Sequence, residues 1–84
     1  MQRKLVKLGG KTWAIEAQAL DGLCDPNTKT IHLPTELRGQ RLLETILHES
    51  LHACQPKASE ATVERTATEL GGVLWGLGFR RVEL

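Results

Sequence analysis

The sequence contains no tyrosine, only two cysteines, no long apolar stretch and almost no net charge. No segment approaches the roughly 20 apolar residues that cross a bilayer, and the amino end lacks the apolar core of a signal peptide, so we expect a cytoplasmic protein without a membrane partner. The formal net charge of +1 gives no general indication of nucleic-acid binding. Cys24 and Cys54 are expected to be reduced, because disulfides are rare inside cells.

The chain is short, and its length limits the possible architectures. A chain of 84 residues forms one domain, which we place over residues 1–84. A domain of this size hides only roughly two-thirds of its unfolded surface, so its stability should be modest and metal binding could add to it.

The most informative feature is the pentapeptide HESLH, which lies in a stretch whose apolar residues recur at helical spacing. Residues four apart share one face of a helix, so His48 and His52 can bind one zinc ion while Glu49 stays off the metal. On a helical wheel the histidines lie roughly 140° and 180° from Leu43, outside the apolar stripe. That stripe consists of Leu43, Ile46, Leu47, Ser50, Leu51 and Cys54. The pattern therefore indicates a zinc site.

A third protein ligand is expected from the next helix. The HESLH helix should end by Gln55, because Pro56 disfavours helical backbone at the residue before it, and Ser59 is a good N-cap for a second helix. If the two helices are antiparallel, position 64 lies opposite position 50, midway between the histidines, whereas position 60 lies opposite position 54. We predict Glu64 as the third ligand, with Glu60 as the alternative if the turn is shifted. The second helix has apolar residues at helical spacing and should end near Gly78; these residues are Val63, Ala67, Leu70, Leu74 and Leu77.

The first 34 residues are typical of a small antiparallel sheet. Gly9 and Gly10 indicate a tight hairpin, and the second strand alternates apolar residues at Trp13, Ile15, Ala17 and Ala19. A second hairpin joins Leu23 and Cys24 to a strand over Lys29–Leu33 through a turn containing Pro26. Ile31 and Leu33 share one face of that strand, so His32 points the other way. Pro34 ends the strand, and a turn over Thr35–Arg38 should lead to a helix that starts near Gly39. The predicted fold class is α+β: two hairpins forming three to four strands, packed on two antiparallel helices.

This order of parts resembles the zincin metallopeptidases of the type with a Glu ligand. More narrowly, it resembles minimal, often phage-encoded HExxH proteins related to the ImmA/IrrE and SprT-like groups. The resemblance covers about residues 22 to 79 and rests mainly on HESLH, with a weaker contribution from the segment Gly22–Asp25. It implies that His48, His52 and Glu64 hold zinc, that Glu49 is the general base, and that a peptide binds as an added strand along Lys29–Leu33, taken to be the sheet edge.

The expected reaction is peptide hydrolysis. Zinc held by two imidazoles and a carboxylate lowers the pKa of its bound water, and Glu49 takes the proton as this water attacks a carbonyl. Many zincins stabilise the oxyanion with a tyrosine or histidine, and only His32 remains for that role. His32 and its neighbour Ile31 are therefore candidate substrate-binding residues. The simpler interpretation is that His32 is an ordinary exposed residue of the strand.

Three other functions remain open. An amidase similar to peptide deformylase would use Cys24 as its third ligand. A non-catalytic module would use zinc only to join its helices. A regulatory or toxin-like protein would act on one cognate protein partner rather than on peptides in general. The chain could also self-associate to cover Trp13, Trp75 and Phe79.

Overall fold

The computed structural model describes residues 3–18, 23–34 and 38–80. Within these ranges there are four strands and two helices, confirming the α+β class. They are β1 (Lys4–Leu8), β2 (Lys11–Gln18), β3 (Leu23–Asp25), β4 (Thr30–Pro34), α1 (Gly39–Cys54) and α2 (Glu60–Gly76). The predicted apolar strand position Ala19 and most of the predicted turn before α1, residues 35–37, lie outside the described residues.

The two predicted hairpins are present, but the sheet that contains them is mixed. The strand order is β1-β2-β4-β3, with β1–β2 and β3–β4 antiparallel and β2–β4 parallel. Gly9 and Gly10 form the first hairpin turn with φ of 58° and 79°, the left-handed backbone that glycine adopts without strain. The prediction of a purely antiparallel sheet is therefore wrong at the junction between the hairpins.

Strand β4 lies inside the sheet and not at its edge. Thr30–His32 pairs with β2 on one side and with β3 on the other. Burial explains the central position: Thr30 and Ile31 point to opposite faces, yet they are only 6% and 1% exposed. The prediction that Lys29–Leu33 forms the sheet edge is thus wrong. The edge strands are β1 and β3.

The core lies between the sheet and α1. Its buried centre consists of Trp13, Ile31 and Leu33. Partly buried apolar residues from the strands and from α1 pack against it; they are Val6, Leu8, Ile15, Cys24, Ile46 and Ala53. Among the described elements, α2 packs on α1 and makes no comparable contact with the sheet. The molecule is therefore layered as sheet, α1 and α2, and the prediction that α2 also packs on the sheet is not met.

The helix ends follow the predicted signals. Helix α1 ends at Cys54, and the backbone N–H of Gln55 donates to Leu51 O at 2.7 Å, just before Pro56. Ser59 caps α2, because its Oγ accepts a 3.1 Å hydrogen bond from the backbone N–H of Thr62. Gly78, at φ 96°, follows the end of α2. Neither α1 nor α2 has the length and apolar character that a bilayer-crossing helix needs.

Candidate metal site

Helix α1 presents His48 and His52 from successive turns toward one point. Their Nε2 atoms are 3.2 Å apart, and their ring centroids are 4.8 Å apart with the planes at 70°. Two nitrogens bound to one tetrahedral zinc ion at about 2.0–2.1 Å would lie roughly 3.3 Å apart. The spacing of the two imidazoles thus fits a shared metal ion.

Two acidic residues of α2 approach the histidines, and each makes a different contact. Glu60 places one carboxylate oxygen 2.9 Å from Nε2 of His48 and the other 3.0 Å from Nε2 of His52. Glu64 instead lies 3.1 Å from Nδ1 of His48, on the other side of the ring. Both carboxyl side chains are about two-thirds exposed, at 70% and 68%. Ser59 fixes the backbone of the turn that carries Glu60.

These contacts determine where the lone pairs of His48 lie. A carboxylate beside Nδ1 favours the tautomer with hydrogen on Nδ1, which leaves the lone pair on Nε2. Nε2 then faces a Glu60 oxygen, which is also an acceptor. Acceptors at 2.9 Å repel each other unless a cation, either a proton or a metal ion, lies between them. The imidazole and carboxylate donors are those that zinc and similar metals prefer.

Glu49 lies beside the histidines and is much less exposed than the acids of α2. Only 8% of Glu49 is exposed. Burial raises the pKa of its carboxyl above the ordinary value; His48 and His52 oppose this rise, and Glu60 adds to it. Potential ligand atoms of His48, Glu49 and His52 all lie within 4.8 Å of one another, so this group could hold a metal ion. A second group with the same property consists of His48, Glu60 and Glu64.

An open cleft of about 450 Å³ lies over these residues. Its polar wall consists of His48, Glu49, His52 and Glu60. The other lining residues come from β3 and from the turns after β3 and α1; they are Leu23, Cys24, Pro26 and Pro56. The cleft therefore has both polar and apolar lining.

The structure does not bring the two predicted substrate-binding residues to this cleft. Ile31 is 1% exposed and belongs to the core. His32 alternates with Ile31 and Leu33, which face α1, so its side chain points to the opposite face of the sheet. Sequence periodicity indicated this orientation, but it could not show that the opposite face lies away from the cleft.

Cys24 lies in the cleft wall, but it belongs to neither group of potential metal ligands found among the described residues. Burial raises the pKa of its thiol to about 11, and the carboxylates of Glu49 and Asp25 add to the rise. The position of Cys24 outside both ligand groups is what disfavours the deformylase-like arrangement.

The sequence patterns did not point to Leu23, Pro26 and Pro56 as residues of the cleft. A weak signal was available for the two prolines, because both lie in turns, where binding residues concentrate. Comparison of the chain with models of protein families, with curated proteins and with solved structures finds no match. Function is therefore inferred from the site itself.

Proposed function

We propose that the protein is a zinc-dependent metallopeptidase of the minimal zincin type, with a peptide or protein substrate. One observation carries this proposal: the Nε2 atoms of His48 and His52 lie 3.2 Å apart, and each lies within 3.0 Å of one Glu60 oxygen. The buried Glu49 lies beside them. Such a set of donors needs a cation, and an acid placed next to it provides a general base.

The contacts support Glu60 as the third zinc ligand. Its oxygens lie near Nε2 of both histidines, whereas Glu64, the residue predicted from the antiparallel helix register, contacts only Nδ1 of His48. We assign Glu64 the role of a positioning residue, because a carboxylate at Nδ1 fixes the tautomer and orientation of a metal-binding imidazole. His48, His52 and Glu60 would then hold the ion at the cleft, beside Glu49.

Glu49 is the proposed general base. When bound, zinc polarises a substrate carbonyl and makes a water molecule more acidic. The Glu49 carboxylate takes a proton from the attacking water and later gives it to the leaving amine nitrogen. Burial raises the pKa of the Glu49 carboxyl, which makes the carboxylate a stronger base toward the attacking water.

The substrate is proposed to lie along β3, and not along β4 as the family resemblance implied. Strand β3 forms a sheet edge and supplies Leu23 and Cys24 to the cleft. An extended peptide can add to such an edge through backbone hydrogen bonds. Because the chain has no tyrosine and His32 faces away, no further phenol or imidazole can stabilise the oxyanion. We therefore expect slow turnover.

Zinc content and peptide cleavage test the proposal together. The purified chain should bind one zinc ion and cleave an unfolded protein, and Glu49→Gln should lose about 10²–10⁴-fold in rate while keeping both zinc and fold. Glu69→Gln, on an exposed part of α2, is the matched control and should retain full activity. A chain that takes up no stoichiometric zinc would rule out the proposal.

A non-catalytic zinc clamp is the second candidate function. It is favoured by the observation that α2 packs only on α1 among the described elements, so a shared ion would tie the two helices together. In that case zinc would raise the stability of the fold, but neither the native chain nor Glu49→Gln would cleave any peptide.

A further inference from the structure

We propose that the outer side of α2 is the contact surface of a symmetric homodimer, in which the α2 helices of two copies pack antiparallel. Three exposed apolar residues form the centre of this surface, and we call them the apolar stripe: Leu70, Val73 and Leu77. The proposal concerns assembly and is independent of zinc binding and of peptide cleavage.

The apolar stripe runs along one side of α2. Its residues are three and four positions apart, so they are neighbours on the helix surface. They are 44%, 57% and 72% exposed, in sequence order, whereas a second set of α2 residues is buried where this helix packs on α1; that set is Val63, Ala67 and Gly71. Within the described residues, α2 thus buries one side and leaves a second apolar side uncovered.

The aromatic residues narrow the surface that self-association has to cover. Trp13 lies in the core, and the Arg80 guanidinium stacks on the Trp75 ring, 3.5 Å from its centroid. Phe79 remains 60% exposed. Its backbone N–H donates to Leu74 O at 3.1 Å, which holds Phe79 against the last turn of α2. Of the three aromatic residues expected to need cover, Phe79 is therefore the one that does, and it lies at the end of the apolar stripe.

The accessible surface of the chain is larger than its mass requires. It is 5820 Å², whereas a folded monomeric protein of 9.3 kDa exposes about 5,000 Å². The surplus of roughly 800 Å² is close to the area that each partner contributes to a protein–protein interface of standard size. Such interfaces have an apolar centre and a polar rim. The apolar stripe provides the centre, and Thr66 and Glu69, four positions before Leu70 and Val73, provide part of the rim.

The charges of α2 favour a second copy as the partner. The ten residues from Leu70 to Phe79 include no charged side chain, so two copies of the apolar stripe meet without like-charge repulsion. Antiparallel packing also places the acidic first halves of the two helices at opposite ends of the pair. A helix that lies on an anionic membrane carries Lys and Arg on its polar face, whereas α2 carries three glutamates and one arginine. A membrane surface is therefore a poor partner for this helix.

The proposed contact and the metal site lie on different sides of α2. Helical geometry places the apolar stripe roughly 120–180° around the axis from Glu64, the residue that contacts Nδ1 of His48. A partner helix on the stripe thus leaves the histidines uncovered, and the dimer is compatible with a working metal site.

Sedimentation equilibrium of the full chain tests the proposal. We expect the apparent mass to rise with concentration from 9.3 kDa toward twice this value. Leu77→Glu brings two like charges into the contact and should weaken dimerisation at least about 30-fold. Leu5→Glu is the matched control, because Leu5 is 60% exposed on β1, an edge strand of the sheet. It should change the dissociation constant by less than about 3-fold. Circular dichroism verifies that both variants are folded.

A single new cysteine tests the antiparallel arrangement without adding a charge. If Leu70 of each copy meets Leu77 of the other, the twofold axis passes beside position 73. The two copies of this position then come within the Cα separation that a disulfide spans. With oxidised glutathione, Val73→Cys should form a covalent dimer at least about 10-fold faster than Leu5→Cys or the native chain.

Three results would each overturn the proposal. They are a monomer at every concentration up to about 1 mM, a dimer that folded Leu77→Glu leaves intact, and equal rates of covalent dimer formation for Val73→Cys and Leu5→Cys. All of these measurements are made without zinc or substrate. Failure of the proposed peptidase activity would therefore leave them unchanged.

Discussion

The Glu64 carboxylate lies 3.1 Å from Nδ1 of His48, on the opposite side of the imidazole from the nitrogen that faces Glu60. One imidazole is thus held between two acids of α2 that are one helical turn apart. Since the two acids contact different nitrogens, their removal should have different consequences for metal binding.

Replacement of Glu60 should weaken zinc binding more than replacement of Glu64. Glu64→Gln loses a hydrogen-bond partner of a ligand, which typically costs about 10–100-fold in metal affinity. Glu60→Gln should lose more than this, because a carboxylate that faces both Nε2 atoms is replaced by a neutral amide. Competition with a chromophoric chelator measures both affinities. Equal affinities, or a larger loss for Glu64→Gln, would restore Glu64 as the ligand.

The parts of the site that lie within one helix could be predicted from the sequence, but the part contributed by α2 could not. His48, Glu49 and His52 have fixed relative positions because helical geometry alone sets them. Whether Glu60 or Glu64 reaches their Nε2 atoms depends on the turn between the helices and on how the helices cross. Equal rise per residue matches positions 50 and 64 only if the two helix axes do not cross at an angle. A shift of one helical turn places Glu60 where Glu64 was expected.

The N-cap of α2 should contribute to stability. Ser59 Oγ accepts from the backbone N–H of Thr62 at 3.1 Å, and Ser59→Ala removes that acceptor from the turn that carries Glu60. We expect the free energy of unfolding of the metal-free chain to fall by about 1 kcal/mol, as measured by urea denaturation. Ser59→Asp keeps an acceptor and should lose little. If Ser59→Ala matched the native chain, the observed cap would have no energetic role.

In the fold, too, the features set by neighbouring residues could be predicted from the sequence, whereas those set by distant segments could not. The β1–β2 hairpin follows from Gly9 and Gly10, which permit its tight turn wherever the rest of the chain lies. The insertion of β4 between β2 and β3 depends on which strand buries both faces, and alternation along Lys29–Leu33 describes only one face. Thr30 is buried on the face of β4 opposite to that of Ile31, and this second buried face shows that β4 is a central strand. A threonine in the sequence does not predict such burial.

Cys24 should react slowly with alkylating reagents at neutral pH. Its pKa is raised from 9.0 to about 11, so the thiolate fraction of metal-free protein at pH 7 is about 100-fold lower than for an ordinary thiol. A raised acid pKa means that the folded state holds its proton more tightly than the unfolded state. Stability linked to Cys24 is therefore intact below pH 9 and is lost as the pH rises toward 11. Mass spectrometry after iodoacetamide treatment across pH 7–11 measures the reactivity. Rapid alkylation at pH 7 would contradict the raised pKa of this thiol.

Two adjacent glycines of α2 should respond to alanine in opposite directions. A Cβ at Gly71 would lie 2.5 Å from Glu44 Cγ and 3.6 Å from Glu44 Cα, whereas a Cβ at Gly72 would meet nothing within 4 Å. Gly72→Ala should raise the free energy of unfolding by about 0.5–1 kcal/mol, because alanine favours the helix. Gly71→Ala gains the same propensity, but Glu44, which also accepts a hydrogen bond from Gln40, must move, at a cost of about 1–3 kcal/mol. We expect a net loss of about 1 kcal/mol for Gly71→Ala, measured by denaturation beside Gly72→Ala. Equal stabilisation by both would mean that the two helices lie farther apart at Gly71 than the structure places them.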